Sequence, residues 1–231
     1  GLSDAGLFGD VMADLDNSVG SIVSALESAG VLNDTFLVVT SDNGPWFEGS
    51  TAGFRDRKAG SFDGSFRVPC IVSWPSSSEL LKAARGSDED GTPHHATDIY
   101  KTALHIAGID LPEDRVLDGE SWFDAAAHDS GRVVYLHGID GELLSVRRGR
   151  FKLHMRHSIL RDVELVVSRT LGQNQHTDSD WMWLTDAQLD QHESYDVSHR
   201  HPDVVKALLR HAVDMQDRRQ PNPRGWQRPV G

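Results

Sequence analysis

The chain has 231 residues, enough for one large domain or a mid-sized domain with a smaller one attached, so size is no obstacle to an enzyme. With 35 acidic against 23 basic residues its formal charge is -12, the wrong sign for gripping nucleic acid or anionic lipid by bulk electrostatics. A single cysteine excludes an intrachain disulfide and a thiolate zinc cluster, and no stretch approaches the roughly 20 apolar residues of a membrane span. An anionic substrate then requires a local cluster of cations or a bound metal.

In chain order, Val11, Leu15, Val19, Ile22, Val23 and Leu26 recur at helical spacing, which predicts an amphipathic helix over 10–29 stopped by Gly30. The β-branched run 35–40 predicts a strand buried on both faces, ending at Ser41-Asp42-Asn43-Gly44. Residues 68–74, closed by Pro75, predict a second core strand, so 50–66 becomes a long loop between strands. A helix over 97–107 ends at Gly108. Beyond residue 130 short strands are expected at 133–136, 142–147, 151–154 and 193–197, with Gly149 as a hairpin turn and 155–192 as an insertion. Pro202 opens a last helix with Val204, Val205, Leu208, Leu209 and Val213 on one side, and the tail from Gln220 reads as irregular.

A helix feeding a buried strand with polar residues at its carboxyl end is the layout of an open α/β sheet. The expected division is residues 1–125 as an α/β domain and 126–231 as a small subdomain with an antiparallel sheet and a helix.

Asp42 and Asn43 are adjacent hard-oxygen donors suited to Ca²⁺ or Mg²⁺, although by composition Asp-Asn-Gly-Pro reads first as a turn. The loop Gly53-Phe54-Arg55-Asp56-Arg57-Lys58-Ala59-Gly60 concentrates three cations close by, where they can face a sulfate or phosphate or simply solvent. Asp63 and Arg67 are expected to pair and brace that loop. Cys70 reads as a small apolar strand residue, and the twelve histidines form no metal-binding pattern.

These segments resemble sulfatases of the alkaline phosphatase superfamily. That family carries T-S-D-N-G-P at a strand end, then L-R-G-x-K-G-x-x-x-E-G-G-x-R-V-P, then a strand ending in W-P. Here Thr40-Ser41-Asp42-Asn43-Gly44-Pro45 is followed by Phe54-Arg55-Asp56-Arg57-Lys58, Asp63-Gly64-Ser65-Phe66-Arg67-Val68-Pro69 and Trp74-Pro75, with gapless spacing from Arg55 to Pro69. Gly6-Leu7-Phe8-Gly9-Asp10, Leu15-Asp16-Asn17-Ser18-Val19-Gly20, Asp98, Leu117-Asp118-Gly119 and Tyr195-Asp196-Val197 resemble further family elements in the right order.

The resemblance implies an alkaline phosphatase-like α/β sheet with flanking helices, present in part, and a small C-terminal antiparallel sheet. It implies Asp42 and Asn43 as ligands of Ca²⁺, with Mg²⁺ the second choice, Lys58 as the catalytic cation at the sulfate and leaving oxygen, and Arg55 as a second substrate contact. In the implied reaction a formylglycine hydrate attacks sulfur, the alcohol or phenol leaves, and expulsion of sulfate regenerates the aldehyde. Formylglycine is made in C-x-P-x-R, which is absent here, so it is expected upstream, in a missing N-terminal half, with this chain inactive alone. The implied partner is a sulfate ester or sulfated glycan, in the periplasm, a secreted fluid or the lysosome. A phosphodiesterase or phosphonate hydrolase on the same fold, or a non-catalytic binding module, remain the alternatives.

Overall fold

A computed structural model describes residues 3–77, 93–124, 131–138, 141–155 and 182–218. The chain forms two compact units, Gly1–Arg132 and Val133–Gly231.

The first unit opens with α1, Gly6–Ser28, one turn longer at its start than the periodicity predicts. Its apolar stripe is real but uncovered: no residue of α1 is buried, and Leu7, Val11, Leu15 and Ile22 are all more than half exposed. A short 3₁₀ turn, Leu32–Asp34, leads into β1, Leu37–Thr40, which pairs antiparallel with β2, Cys70–Ser73, in the register Leu37 to Ser73 and Thr40 to Cys70. The strand expected to be buried on both faces is half-buried at Leu37 to Val39 and exposed at Thr40, because β2 is its one strand partner among the described residues. Cys70 lies in a strand as expected, but is exposed rather than packed.

Between the strands the loop contains one short helix, α2, Asp63–Phe66. Further on, α3, Asp98–Ala107, ends where Gly108 adopts φ 65°, a left-handed stop that glycine takes without steric cost. The core of this unit is aromatic. Phe36 meets Trp74, Trp122 and Phe123 at centroid distances of 5.8, 6.0 and 6.3 Å. The fully buried Asp98 anchors this corner: it accepts from the backbone of His95 (2.7 Å) and Glu120 (3.0 Å) and from the guanidinium of Arg132 (2.5 Å). Thr102 likewise accepts from the backbone of Trp122. Burial lowers the pKa of His95, opposed by the charge of Asp98 and reinforced by Arg132.

The second unit is a four-stranded antiparallel meander, β3 Val133–His137, β4 Leu143–Arg148, β5 Phe151–His154 and β6 Trp183–Asp186, packed on α4, Pro202–Arg218. Gly149, at φ 55°, turns β4 into β5 as predicted. Period-2 alternation then sorts the side chains. Val146, Leu153 and Leu184 form one cross-strand row and meet Leu208 and Ala212 of α4, whereas Lys152, His154 and Thr185 fall on the alternate positions.

Two sequence expectations fail here. The fourth strand is β6, not 193–197, so the expected insertion 155–192 includes a core strand, while 156–181 lies outside the described residues. Asp190 is the physical reason: its carboxylate accepts backbone bonds from His192, Ser194 and Tyr195, winding that segment into a turn with Glu193 at φ 51°. In α4 the inward positions include Ala212, while Val213 is half-exposed. The tail from Gln220 is outside the described residues.

Candidate anion and metal site

The β1 strand ends in a set of local polar bonds. Asp42 Oδ1 accepts from the Asn43 backbone N–H at 2.9 Å and from the Ser41 hydroxyl at 3.3 Å, and Asn43 Nδ2 donates to the Gly44 carbonyl at 2.9 Å. Asp42 Oδ2 and Asn43 Oδ1 have no hydrogen-bond partner among the described residues. The Thr40 hydroxyl donates to the Pro69 carbonyl at 3.0 Å and fixes the strand end against the start of β2.

The cationic loop is folded directly onto this strand end. The Gly44 N–H donates to the Ser65 carbonyl at 2.7 Å, and the Lys58 N–H to the Pro45 carbonyl at 3.0 Å. Gly44 permits the approach: a Cβ there would lie 1.9 Å from the Gly64 carbonyl oxygen. At Gly64 a Cβ would lie 2.4 Å from the Asp56 carbonyl oxygen and 2.5 Å from that of Arg55, so the two limbs of the loop also close on each other at a glycine. The loop has a buried floor of Gly60, Ser61, Phe62, Asp63 and Ser65, and is therefore a packed element.

Among the departures from the family pattern, those at Asp56 and Ser65 are accommodated by local hydrogen bonds. Asp56 stands where the family carries glycine and adopts φ 70°; Asp tolerates that region, and its carboxylate accepts the Arg57 N–H at 3.0 Å. Ser65 donates its hydroxyl to the Arg57 carbonyl at 2.5 Å.

The loop's arginines are engaged with rings. Arg55 lies 4.0 Å from the centroid of Phe62, Arg57 5.4 Å from Phe47 and Arg67 4.5 Å from Phe54. Arg67 thus braces the loop through Phe54 rather than through the expected pair with Asp63; its backbone N–H bonds to the Asp63 carbonyl. Lys58 differs: its side chain is exposed and makes no ion pair or hydrogen bond among the described residues. An ammonium on a backbone held at 3.0 Å from Pro45 is suited to an external oxyanion.

The donor chemistry suits a hard cation, since an Asp carboxylate oxygen and an Asn carbonyl oxygen both lack hydrogen-bond partners among the described residues. Among the described residues no group of three or more His, Cys, Asp or Glu side chains gathers as a metal cluster. Asp42 and Asn43 therefore fit a hard cation as two oxygen donors, fewer than the roughly six to eight that Ca²⁺ takes.

Sequence reasoning missed two features. One is the exposed pair Trp46 and Phe47 immediately after Pro45, whose signal was two adjacent aromatic residues beside the motif. The other is a buried polar cluster in the second unit: Glu193 lies 3.1 Å from Lys152 Nζ and 2.9 Å from His154 Nε2, with Thr185 at 3.4 Å. Its signal was the alternation of Lys152 and His154 around Leu153.

The chain is similar to known proteins in both sequence and fold. The sulfatase family profile matches residues 3–109. The chain is 34% identical over 162 residues to N-acetylgalactosamine-6-sulfatase of Canis lupus familiaris, covering 67% of this chain and 30% of that protein. It is 36% identical over 129 residues to steryl-sulfatase of Homo sapiens, covering 52% and 21% respectively. The PsFucS1 sulfatase of a Pseudoalteromonas species matches in fold with a TM-score of 0.64 at 22% identity, over 92% of this chain and 44% of that one. The chain thus spans less than half the length of these relatives. No helix among the described residues is long and apolar enough to cross a membrane. Profile, relatives and fold together make this chain a member of the sulfatase family, built on the alkaline phosphatase-like α/β fold.

Proposed function

We propose that the chain supplies the calcium- and sulfate-facing side of a sulfuric ester hydrolase that cleaves an aryl or carbohydrate sulfate. The observation that carries this reading is the lock between strand end and loop, Gly44 to Ser65 and Lys58 to Pro45, which sets on one framework two hard-oxygen donors and an ammonium with no partner among the described residues.

In this reading Asp42 and Asn43 hold Ca²⁺, with Mg²⁺ the second choice; when bound, the cation withdraws charge from a sulfate oxygen. Lys58 binds the sulfate and stabilises the negative charge that develops on the ester oxygen as the S–O bond breaks. Arg55, its guanidinium plane fixed over Phe62, is the second donor to the sulfate. The buried loop floor keeps these donors in place without reorganisation.

The 231 residues contain no C-x-P-x-R, so the nucleophile is supplied from outside them. The uncovered stripe of α1 supports the same reading, because an amphipathic helix normally packs its apolar face on a further layer of the fold. The relatives named above act on different esters by name, an N-acetylgalactosamine 6-sulfate and a steryl sulfate, so family membership alone leaves the leaving group open.

The test measures methyl sulfate binding and 4-nitrophenyl sulfate turnover by the 231-residue chain. Saturable binding that is lost in Lys58→Ala, without turnover, is expected. Turnover above background contradicts the absent nucleophile, and tighter binding of a phosphodiester than of the sulfate ester favours the phosphodiesterase alternative.

A further inference from the structure

Directly beside the proposed sulfate site the chain holds two large rings out to solvent. Trp46 and Phe47 are 44% and 57% exposed and meet edge to face, with centroids 4.9 Å apart and planes at 81°. Their backbone is tightly framed. The Lys58 N–H bonds the Pro45 carbonyl, the Gly49 N–H bonds the Trp46 carbonyl at 3.3 Å, and Arg57 Nη1 donates to the carbonyls of Trp46 (3.2 Å) and Gly49 (3.0 Å). Gly49 is buried, and a Cβ there would lie 2.5 Å from the Cβ of Pro45, so the turn cannot relax around a larger residue.

This framework therefore presents apolar rings at a fixed position relative to the Lys58 backbone, at the cost of leaving them hydrated. Exposed, preorganised aromatic surface beside convergent polar groups is what a ligand site offers. Arg57 adds charge to the ring surface. Its Nη1 is occupied by carbonyls, while Nε and Nη2 have no hydrogen-bond partner among the described residues and can fork onto an oxyanion.

We propose that Trp46, Phe47 and Arg57 form the subsite for the leaving group, stacking the apolar face of a pyranose ring and pairing Arg57 with a second anionic substituent. The substrate class is then a multiply charged sulfated glycan rather than a sterol sulfate. This rests on the sulfatase reading of Lys58. A pyranose ring exposes a C–H face to stack while its hydroxyl edges stay in water, and the cation gains from a second sulfate or carboxylate. A sterol needs a wide, uncharged surface, whereas here the Arg57 guanidinium lies over the Phe47 ring, 5.4 Å from its centroid, with the exposed Glu48 next in sequence.

The experiment is calorimetric titration of the 231-residue chain with methyl sulfate, a monosulfated and a disulfated uronate-containing disaccharide, and dehydroepiandrosterone sulfate. Trp46→Ala is expected to weaken disaccharide binding roughly tenfold, the loss of about one stacking contact, and to weaken methyl sulfate binding much less. Arg57→Gln is expected to abolish the preference for the second sulfate, and Lys58→Ala to weaken every ligand. Trp46→Phe, which keeps a ring, retains most of the affinity, and near-ultraviolet circular dichroism confirms that each variant folds. If Lys58→Ala loses all ligands but Trp46→Ala binds the disaccharide like wild type, the subsite is wrong and the sulfatase reading stands. If Lys58→Ala changes nothing, that reading fails and this one with it. Tighter, Trp46-dependent binding of the steroid sulfate overturns the glycan assignment.

Discussion

The two units are stabilised differently. The second has a closed aliphatic core in which Val146, Leu153 and Leu184 are fully buried and α4 contributes Leu208 and Ala212. The first has rings around Phe36, a two-stranded ribbon and a 23-residue helix with no buried residue. A two-stranded ribbon is marginal by itself. The unit that carries the proposed chemistry thus combines a small aromatic cluster with polar locks and glycine contacts, and the other has an aliphatic core beside a buried polar cluster. Geometry for binding an anion is specified by backbone bonds, whereas bulk stability comes from buried area.

The largest expected effect lies in the second unit. Lys152 and Glu193 are both buried, so Lys152→Met leaves a carboxylate without its ammonium and should cost about 3–5 kcal/mol in denaturant unfolding. A loss below 1 kcal/mol would show that this face is not closed. Next, Leu184→Ala should cost about 2–5 kcal/mol, while Leu15→Ala, at 54% exposure, stays within about 0.5 kcal/mol. Equal costs would erase the contrast between the units.

Gly44→Ala sharpens the comparison from the other side. Its Cβ would lie 1.9 Å from the Gly64 carbonyl oxygen, so the strand end and loop must separate, at about 1–3 kcal/mol. Anion binding should weaken with it while amide exchange in β4 and β5 stays slow. Wild-type binding by this variant would show that the lock does not organise the site.

The smallest effect is in pH dependence. Burial holds the pKa of His95 below its ordinary 6.5, so its stabilising contribution is full above that value and is lost as the solution falls through the lowered folded value. Burial raises Asp186, but Arg150 and the N–H groups of Leu189 and Gln188 leave it net lowered, so its contribution is lost only below its ordinary 3.8. Acid titration followed by amide exchange should therefore loosen the α3 corner before the meander; the reverse order would contradict these assignments.

Much of this was legible in the sequence. Helical spacing located α1, α3 and α4, and the turn at Gly149 located the β4–β5 hairpin, because periodicity and left-handed glycine are local properties. The motif residues Asp42, Asn43, Arg55 and Lys58 were singled out by the resemblance to the sulfatase pattern, and by composition alone they read as a turn and a solvated loop. What was not legible depended on contacts distant in sequence. The exposure of α1 is set by what packs on it, the identity of the fourth strand by the Asp190 turn, and the Lys152–Glu193 cluster by strand register. The role of Arg67 also turned on a ring, Phe54, thirteen residues away.

The central claim is that Asp42, Asn43 and Lys58 belong to one site, and thermodynamic linkage tests it most directly. Ca²⁺ is titrated into the 231-residue chain with and without saturating methyl sulfate, in wild type, Asp42→Asn and Lys58→Ala. A shared site predicts that the anion tightens Ca²⁺ binding severalfold, reciprocally, and that either substitution abolishes the coupling. A Ca²⁺ affinity that is the same with and without the anion would place cation and anion on unrelated parts of the surface and contradict the account.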